Sequence, residues 1–163
     1  MMSSGISENA SRKRRASGTG SYRQENKILK WQGKQYRTFT NKLVPAKPQP
    51  ERKVSCKCSY KCRSLTYKRK LELYKQFYET DSAKQGTYLT GLINIGNIKK
   101  RRRRGTYELA ESSQCQCSIF YTVPDGSGNL VLVCKRTFLN IFAIISKKIE
   151  ILVKKKKKMG ETY

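Results

Sequence analysis

Three cysteines fall within seven residues in the stretch VSCKCSYKCRSLTY, at Cys56, Cys58 and Cys62, and nothing else in the chain limits its fold as much. Thiols this close share a metal ion, cross-link, or lie idle. The surroundings narrow the choice. Lysine and arginine number 36 against 11 acidic residues in a chain of 163, for a net charge of +25. A charge of that size opposes compaction through self-repulsion and attracts polyanions. The hydrophobic share, 37%, lies below the usual globular figure of roughly 45%. A modest core under electrostatic stress needs a staple.

The redox setting follows from the ends and the apolar runs. MMSSGISENASRKRR has no apolar segment behind its methionines, so no secretory signal is expected. The most hydrophobic stretch, Phe138 to Ile145, is too short to cross a bilayer. These features point to the cytosol or, with the basic run at Arg12 to Arg15, to the nucleus. Thiols there stay reduced, and clustered cysteines read as metal ligands before they read as bridges.

Along the chain, residues 1–50 are expected to be a disordered basic tail ending in the Pro-spaced linker VPAKPQPER, with Trp31, Tyr36 and Phe39 as apolar anchors able to dock a short part of it. Residues 51–153 are expected to form the folded module, and 154–163 a second disordered basic tail. Within the module, TYKRKLELYKQFYE predicts a helix capped by Ser64 or Thr66, with Leu71, Tyr74, Phe77 and Tyr78 inward. A second helix starts at Asp81 or Ser82 and buries Tyr88, Leu89, Leu92 and Ile93, giving a helical hairpin.

Beyond the cationic loop KKRRRRG, two extended runs flank the turn PDGSGN. Setting Val123 opposite Leu130 places Tyr121 opposite Leu132 and Ile119 opposite Cys134, all on one side of a ribbon, and Cys117 extends that side. The last piece, KRTFLNIFAIISKKIEILVKK, reads as two short helices broken at Ile145 and Ser146, with Ser146 as the cap of the second. A helix-turn-helix, a plain helical hairpin and one bent helix all fit that pattern. The fold class expected is small α+β: two helical hairpins and a two-stranded β-ribbon stapled by a four-cysteine zinc site, with disordered basic tails.

Structural zinc takes four ligands in a tetrahedron, and basic neighbours favour the thiolate form it needs. The first cluster supplies three, so the fourth must be Cys134, Cys117 or Cys115. Cys134 is preferred, because its parity matches Leu130 and Leu132 and a helix start lies directly after it. The competing reading makes Cys134 a buried apolar residue. One structural zinc on Cys56, Cys58, Cys62 and Cys134 is the expectation.

Catalysis is not expected. The chain has no histidine, and Asp81, Glu108, Glu111 and Asp125 form no set spaced to hold two magnesium ions. Binding is the remaining class. The candidate nucleic-acid contacts are Arg12, Lys13, Arg14, Arg15, Lys99, Lys100, Arg101, Arg102, Arg103, Arg104, Lys147 and Lys148, with Lys154 to Lys158 as a third basic run. Double-stranded DNA is the first partner. RNA or a structural protein–protein role stands second, and an anionic membrane surface third.

The order C-x-C-x3-C, RKLELYKQFYE, a basic run, Y-x-V, VCKRTFL and ISKKIEILVKK resembles the amino-terminal part of arthropod transposon-derived proteins. The similarity runs from about Val44 to Ile151, and more loosely over Lys34 to Lys47. The resemblance implies that Cys56, Cys58, Cys62 and Cys134 are the recurring cysteines, and that Phe77, Tyr121, Phe138 and Leu139 are the recurring anchors. Cys115 and Cys117 depart from the family pattern, as does the end of the chain where a nuclease-like domain would begin. What the resemblance then implies is a nuclear DNA-recognition module without its catalytic part, acting with a separately encoded transposase. A small binding protein recruited from such an element and a relic without a role are the alternatives.

Overall fold

The computed structural model describes residues 19–53, 56–98 and 117–160. Its elements in chain order are α1 (Thr19–Trp31), β1 (Tyr36–Arg37), β2 (Leu43–Val44), α2 (Tyr67–Glu79), α3 (Ser82–Leu92), β3 (Ile93–Gly96), β4 (Ser118–Pro124), β5 (Leu130–Val133), α4 (Lys135–Phe142) and α5 (Ser146–Lys158). The α+β class is as expected, but the internal arrangement differs in several places.

Helix α2 starts where its chemistry dictates. Thr66 is extended, and its hydroxyl accepts from the Arg69 amide at 3.2 Å, filling one of the free donors of the first turn. The inward face carries Lys70, Leu73, Phe77 and Tyr78, whereas Leu71 and Tyr74 lie only half-buried. The buried stripe is therefore centred on Leu73, which the aromatic spacing alone did not single out. Lys70 is accommodated there because its Nζ donates to the Arg52 carbonyl at 3.5 Å while its stem fills the apolar layer.

Helix α3 does not fold back on α2 as a hairpin. Instead α2 packs chiefly on α4, and α3 on α5, so the expected pairings are exchanged. The corner between α2 and α3 is filled by the buried Gln85. Its Nε2 donates to Phe77 O, Thr80 O and Trp31 O at 3.0, 3.0 and 2.9 Å. A single amide, its two N–H groups shared among three carbonyls, thus ties the ends of α1 and α2 to α3. Leu89 and Leu92 are buried as expected.

Ile93, however, opens a strand. The sheet has three strands in the order β3-β4-β5, both pairings antiparallel, so the two-stranded ribbon gains an edge. Its register also differs from expectation by one residue: Val123 faces Val131, Tyr121 faces Val133 and Pro124 faces Leu130. A one-residue shift exchanges the faces of a strand. Val131 and Val133 accordingly face inward with Tyr121 and Val123, and Leu130 is 62% exposed. The turn explains the shift. Asp125 N–H donates to Asn129 O at 3.0 Å, and the Asp125 carboxylate accepts from the Ser127 amide at 2.7 Å, so five residues span the loop.

Aromatic rings hold the layers together. Phe138 lies 5.0 Å from Phe142 and 5.1 Å from Tyr121, and Phe142 lies 5.2 Å from Phe77, centroid to centroid. The Tyr78 hydroxyl donates to Phe142 O at 2.9 Å, satisfying its polar end inside the core. Between α4 and α5, Ala143 sits in the left-handed region at φ 45°, and Ile144 N–H bonds back to Leu139 O. This Schellman closure ends α4 abruptly. Ser146 is the first helical residue of α5 and Ile145 takes the capping position, so the expected Ser146 cap is displaced by one.

The stretch before residue 50, expected as tail, holds α1 and the β1–β2 hairpin over its described part. Helix α1 ends in a second Schellman closure: Lys34 N–H donates to Leu29 O at 2.9 Å, with Gly33 at φ 66°. Lys47 N–H then donates to Gly33 O, and Tyr74 Oη donates to Lys47 O at 2.8 Å, docking the segment on α2. A methyl at Gly33 would sit 2.8 Å from the Tyr78 ring. Gly33→Ala is therefore expected to cost about 1–2 kcal/mol locally, combining left-handed strain with that collision. Amides of Lys34 and Lys47 should exchange hydrogen about 5- to 30-fold faster, while α5 amides keep their rates. At the other end the lysine run is helix through Lys158, and Lys156 is buried, its Nζ donating to Thr90 O and Ile93 O at 3.2 and 2.9 Å. These bonds satisfy carbonyls at the end of α3, which is why the run continues the helix there and does not fray from Lys154.

Candidate metal centre

The Sγ atoms of Cys56, Cys58, Cys62 and Cys134 all lie within 4.8 Å of one another. Cys58 Sγ is 3.5 Å from Cys56 Sγ and 3.4 Å from Cys62 Sγ. A zinc–sulfur bond of about 2.3 Å in a tetrahedron requires sulfurs roughly 3.8 Å apart, whereas a disulfide requires about 2 Å. The cluster fits the first requirement. All five described cysteines are free thiols.

Local chain geometry brings these four together. Residues 56–62 form an irregular loop ahead of α2, with Cys62 buried and Cys56 and Cys58 half-buried. Strand β5 ends at Val133, and Cys134 turns out of it as the N-cap of α4. Its own amide donates to Cys62 Sγ at 3.2 Å, across 72 residues of sequence. Cys134 does not share an inner face with Leu130, which is exposed; the helix start supplies what the thiol needs.

A further contributor is Thr137, fully buried beneath the cluster. Its amide donates to Cys134 Sγ at 3.5 Å, and its hydroxyl lies 3.4 Å from the same sulfur. Outer partners of this kind orient metal ligands and offset thiolate charge. Thr137 has only a faint signature in the sequence: the spacing Cys134-x-x-Thr137 is that of a helix cap and its third residue.

Cys134 and Cys58 are shifted in opposite directions. Burial raises Cys134, but the Thr137 hydroxyl and amide, together with Cys62 and Cys58, outweigh it and bring it down to about 7. Burial pushes Cys58 up to about 12, with the Cys62 and Cys56 sulfurs adding to the effect. A cation entering the cluster displaces the remaining protons, so uptake releases acid. Lys57, Lys61, Arg63, Lys135 and Arg136 border the loop and the cap in sequence, and they compensate the negative charge of a tetrathiolate site.

The cluster is positioned to coordinate a single structural zinc ion. Four protein sulfurs fill a tetrahedron and leave no open position, which separates a structural site from a catalytic one. Cys117 packs against the core at the start of β4 and stands outside the four. Cys115 lies outside the described residues.

The expected nucleic-acid contacts divide. Arg12 to Arg15 and Lys99 to Arg104 lie outside the described residues. Lys147 is exposed and pairs with Glu150 at 3.7 Å. Lys148 is drawn inward instead: its Nζ stands 5.4 Å above the Phe77 ring, and burial, then the charge of Lys47, lowers its pKa. It serves the α2–α5 packing, so it is a poor phosphate contact. No helix among the described residues is long and apolar enough to cross a membrane.

No family model, curated protein or solved structure matches the chain. The cluster therefore stands on its geometry: a compact α+β domain organised around a four-cysteine centre able to bind metal.

Proposed function

We propose that this zinc-stapled domain binds nucleic acid, double-stranded DNA in the first place, and that it acts by binding alone, with no catalytic activity of its own. The observation that carries the reading is the unneutralised charge. Against a net +25, the described residues contain three ion pairs, Arg69–Glu72, Lys84–Asp81 and Lys147–Glu150, each between neighbours on one helix. Lys70, Lys148 and Lys156 are taken into the packing, but the remaining cations far outnumber the acidic residues, and a polyanion is the partner that matches them. The exposed face of α5 offers Lys147, Lys154, Lys155, Lys157 and Lys158 to such a partner. The short connection from α4 through Ala143 to α5 suits a helix-turn-helix, in which the second helix meets the groove.

The resemblance to arthropod transposon-derived proteins supports the same reading. On it, the chain is the recognition part of a transposable-element-derived protein, works in the nucleus, and is served by a transposase encoded elsewhere. RNA is the alternative nucleic acid, and a structural protein-interaction role the alternative class. The test is salt dependence. Neutralising about eight phosphates should give a slope of log affinity against log salt of about −7 on duplex DNA. Affinity that stays level between low and physiological salt would reject the proposal. Tighter binding to structured RNA than to duplex DNA at matched ionic strength would reassign the partner.

A further inference from the structure

We infer that Phe39 is an aromatic wedge that inserts at a base step of the bound nucleic acid, with Arg37 and Lys42 on the flanking phosphates. The inference rests on the nucleic-acid reading and adds a particular contact to it. Phe39 is 83% exposed at the tip of the β1–β2 hairpin, more than any other large hydrophobic side chain among the described residues. A single exposed apolar residue needs no explanation on its own. What distinguishes this one is how firmly the surrounding turn is built.

Thr38 N–H donates to Lys42 O and Asn41 N–H to Thr38 O, both at 2.9 Å. Lys42 N–H donates to Thr38 Oγ1 at 3.1 Å, and Arg37 Nη1 to Asn41 Oδ1 at 3.3 Å. Asn41 takes the left-handed conformation at φ 60° that closes the turn. From α1, the Tyr22 hydroxyl reaches Arg37 O and Thr38 O, at 2.9 and 3.1 Å. The hairpin is anchored in turn through Gly33, Lys47 and Tyr74 to α2, and through Trp31 to Gln85. Each of these bonds organises backbone around a ring that is left in solvent.

Charge selects the partner. Between Glu25 and Glu51 the sequence holds no acidic residue, while Lys27, Lys30, Lys34, Arg37, Lys42 and Lys47 fall in that interval. An exposed aromatic ring on a hydrogen-bonded turn, with Arg37 and Lys42 close by in sequence, matches an opened base step flanked by phosphates: apolar wedges enter between bases, and aromatic rings stack on them. One ring is a poor bilayer anchor, which sets a lipid surface behind nucleic acid.

The experiment uses the full zinc-loaded chain and a short duplex carrying 2-aminopurine, a base whose emission reports unstacking. Wild type should bind and change that emission. Phe39→Ala, a surface change that leaves the fold intact, should bind about 10-fold more weakly, the factor a stacked ring supplies. It should also lose the emission change and keep the salt slope. Phe39→Trp should restore both. A Phe39→Ala protein with wild-type affinity and emission would overturn the wedge and leave nucleic-acid binding standing. A wild type that ignores the duplex and single strands alike would overturn both. Phe39-dependent binding to phosphatidylserine vesicles, without Phe39 dependence on the duplex, would move the ring to a membrane and also overturn the proposal.

Discussion

The Cys134→Ser variant is expected to lose its zinc and, with it, the α2–α4 packing. Serine is a poor zinc ligand at neutral pH, so three thiolates remain on the loop of residues 56–62 with nothing from the sheet to complete the tetrahedron. Structural zinc contributes about 10–16 kcal/mol in small metal-folded domains, more than the roughly 5–15 kcal/mol by which ordinary domains are stable. Native mass spectrometry should show one zinc on wild type and none on Cys134→Ser, and helical circular dichroism should fall. The double change Cys115→Ser with Cys117→Ser should retain one zinc and a folded domain. Zinc lost in the double variant and kept in Cys134→Ser would place the fourth ligand at Cys115 or Cys117, ahead of β4.

Phe138→Ala is expected to be the most damaging change away from the cysteines, at about 3–5 kcal/mol. The ring has no exposure and links Tyr121 on the sheet to Phe142, which in turn meets Phe77 on α2. It also lies one turn after Cys134, with its amide donating to Cys134 O at 3.0 Å. The cavity would therefore open beside the metal centre, where the backbone has little freedom to collapse. Denaturant unfolding of the zinc-loaded protein measures the loss, with Phe39→Ala as a control that should stay within about 0.5 kcal/mol of wild type. A loss below about 1 kcal/mol at Phe138 would mean that the four rings do not form the joint described.

Legibility in the sequence followed the range over which each signal acts. The three-cysteine loop, the Thr66 cap and the apolar stripe Ile149, Leu152 and Val153 are local patterns, and the structure contains them. Cys134 was legible because a thiol directly before a helix is a chemical signal independent of strand register. Register itself was not legible. PDGSGN permits turns differing by one residue, and Leu130 and Leu132 look as suited to an interior as Val131 and Val133. Strand β3 stayed hidden because Ile93 continues the stripe of Leu89 and Leu92 with no turn residue between them. Helix α1 carried its stop signal at Gly33, but its polar composition outweighed that signal. The exchange of helix partners could not be read at all, since α2–α4 and α3–α5 contacts depend on the position of the sheet.

The bond from the Cys134 amide to Cys62 Sγ joins points 72 residues apart. At translation rates of about 5–20 residues per second, the loop cysteines leave the ribosome roughly 4–14 s before their fourth partner. Through that interval the nascent chain presents a three-thiol half-site on a polycation, open to oxidants and to any metal that reaches it. Its maturation therefore depends on zinc supply and reducing conditions during synthesis, before the domain has a fold to protect.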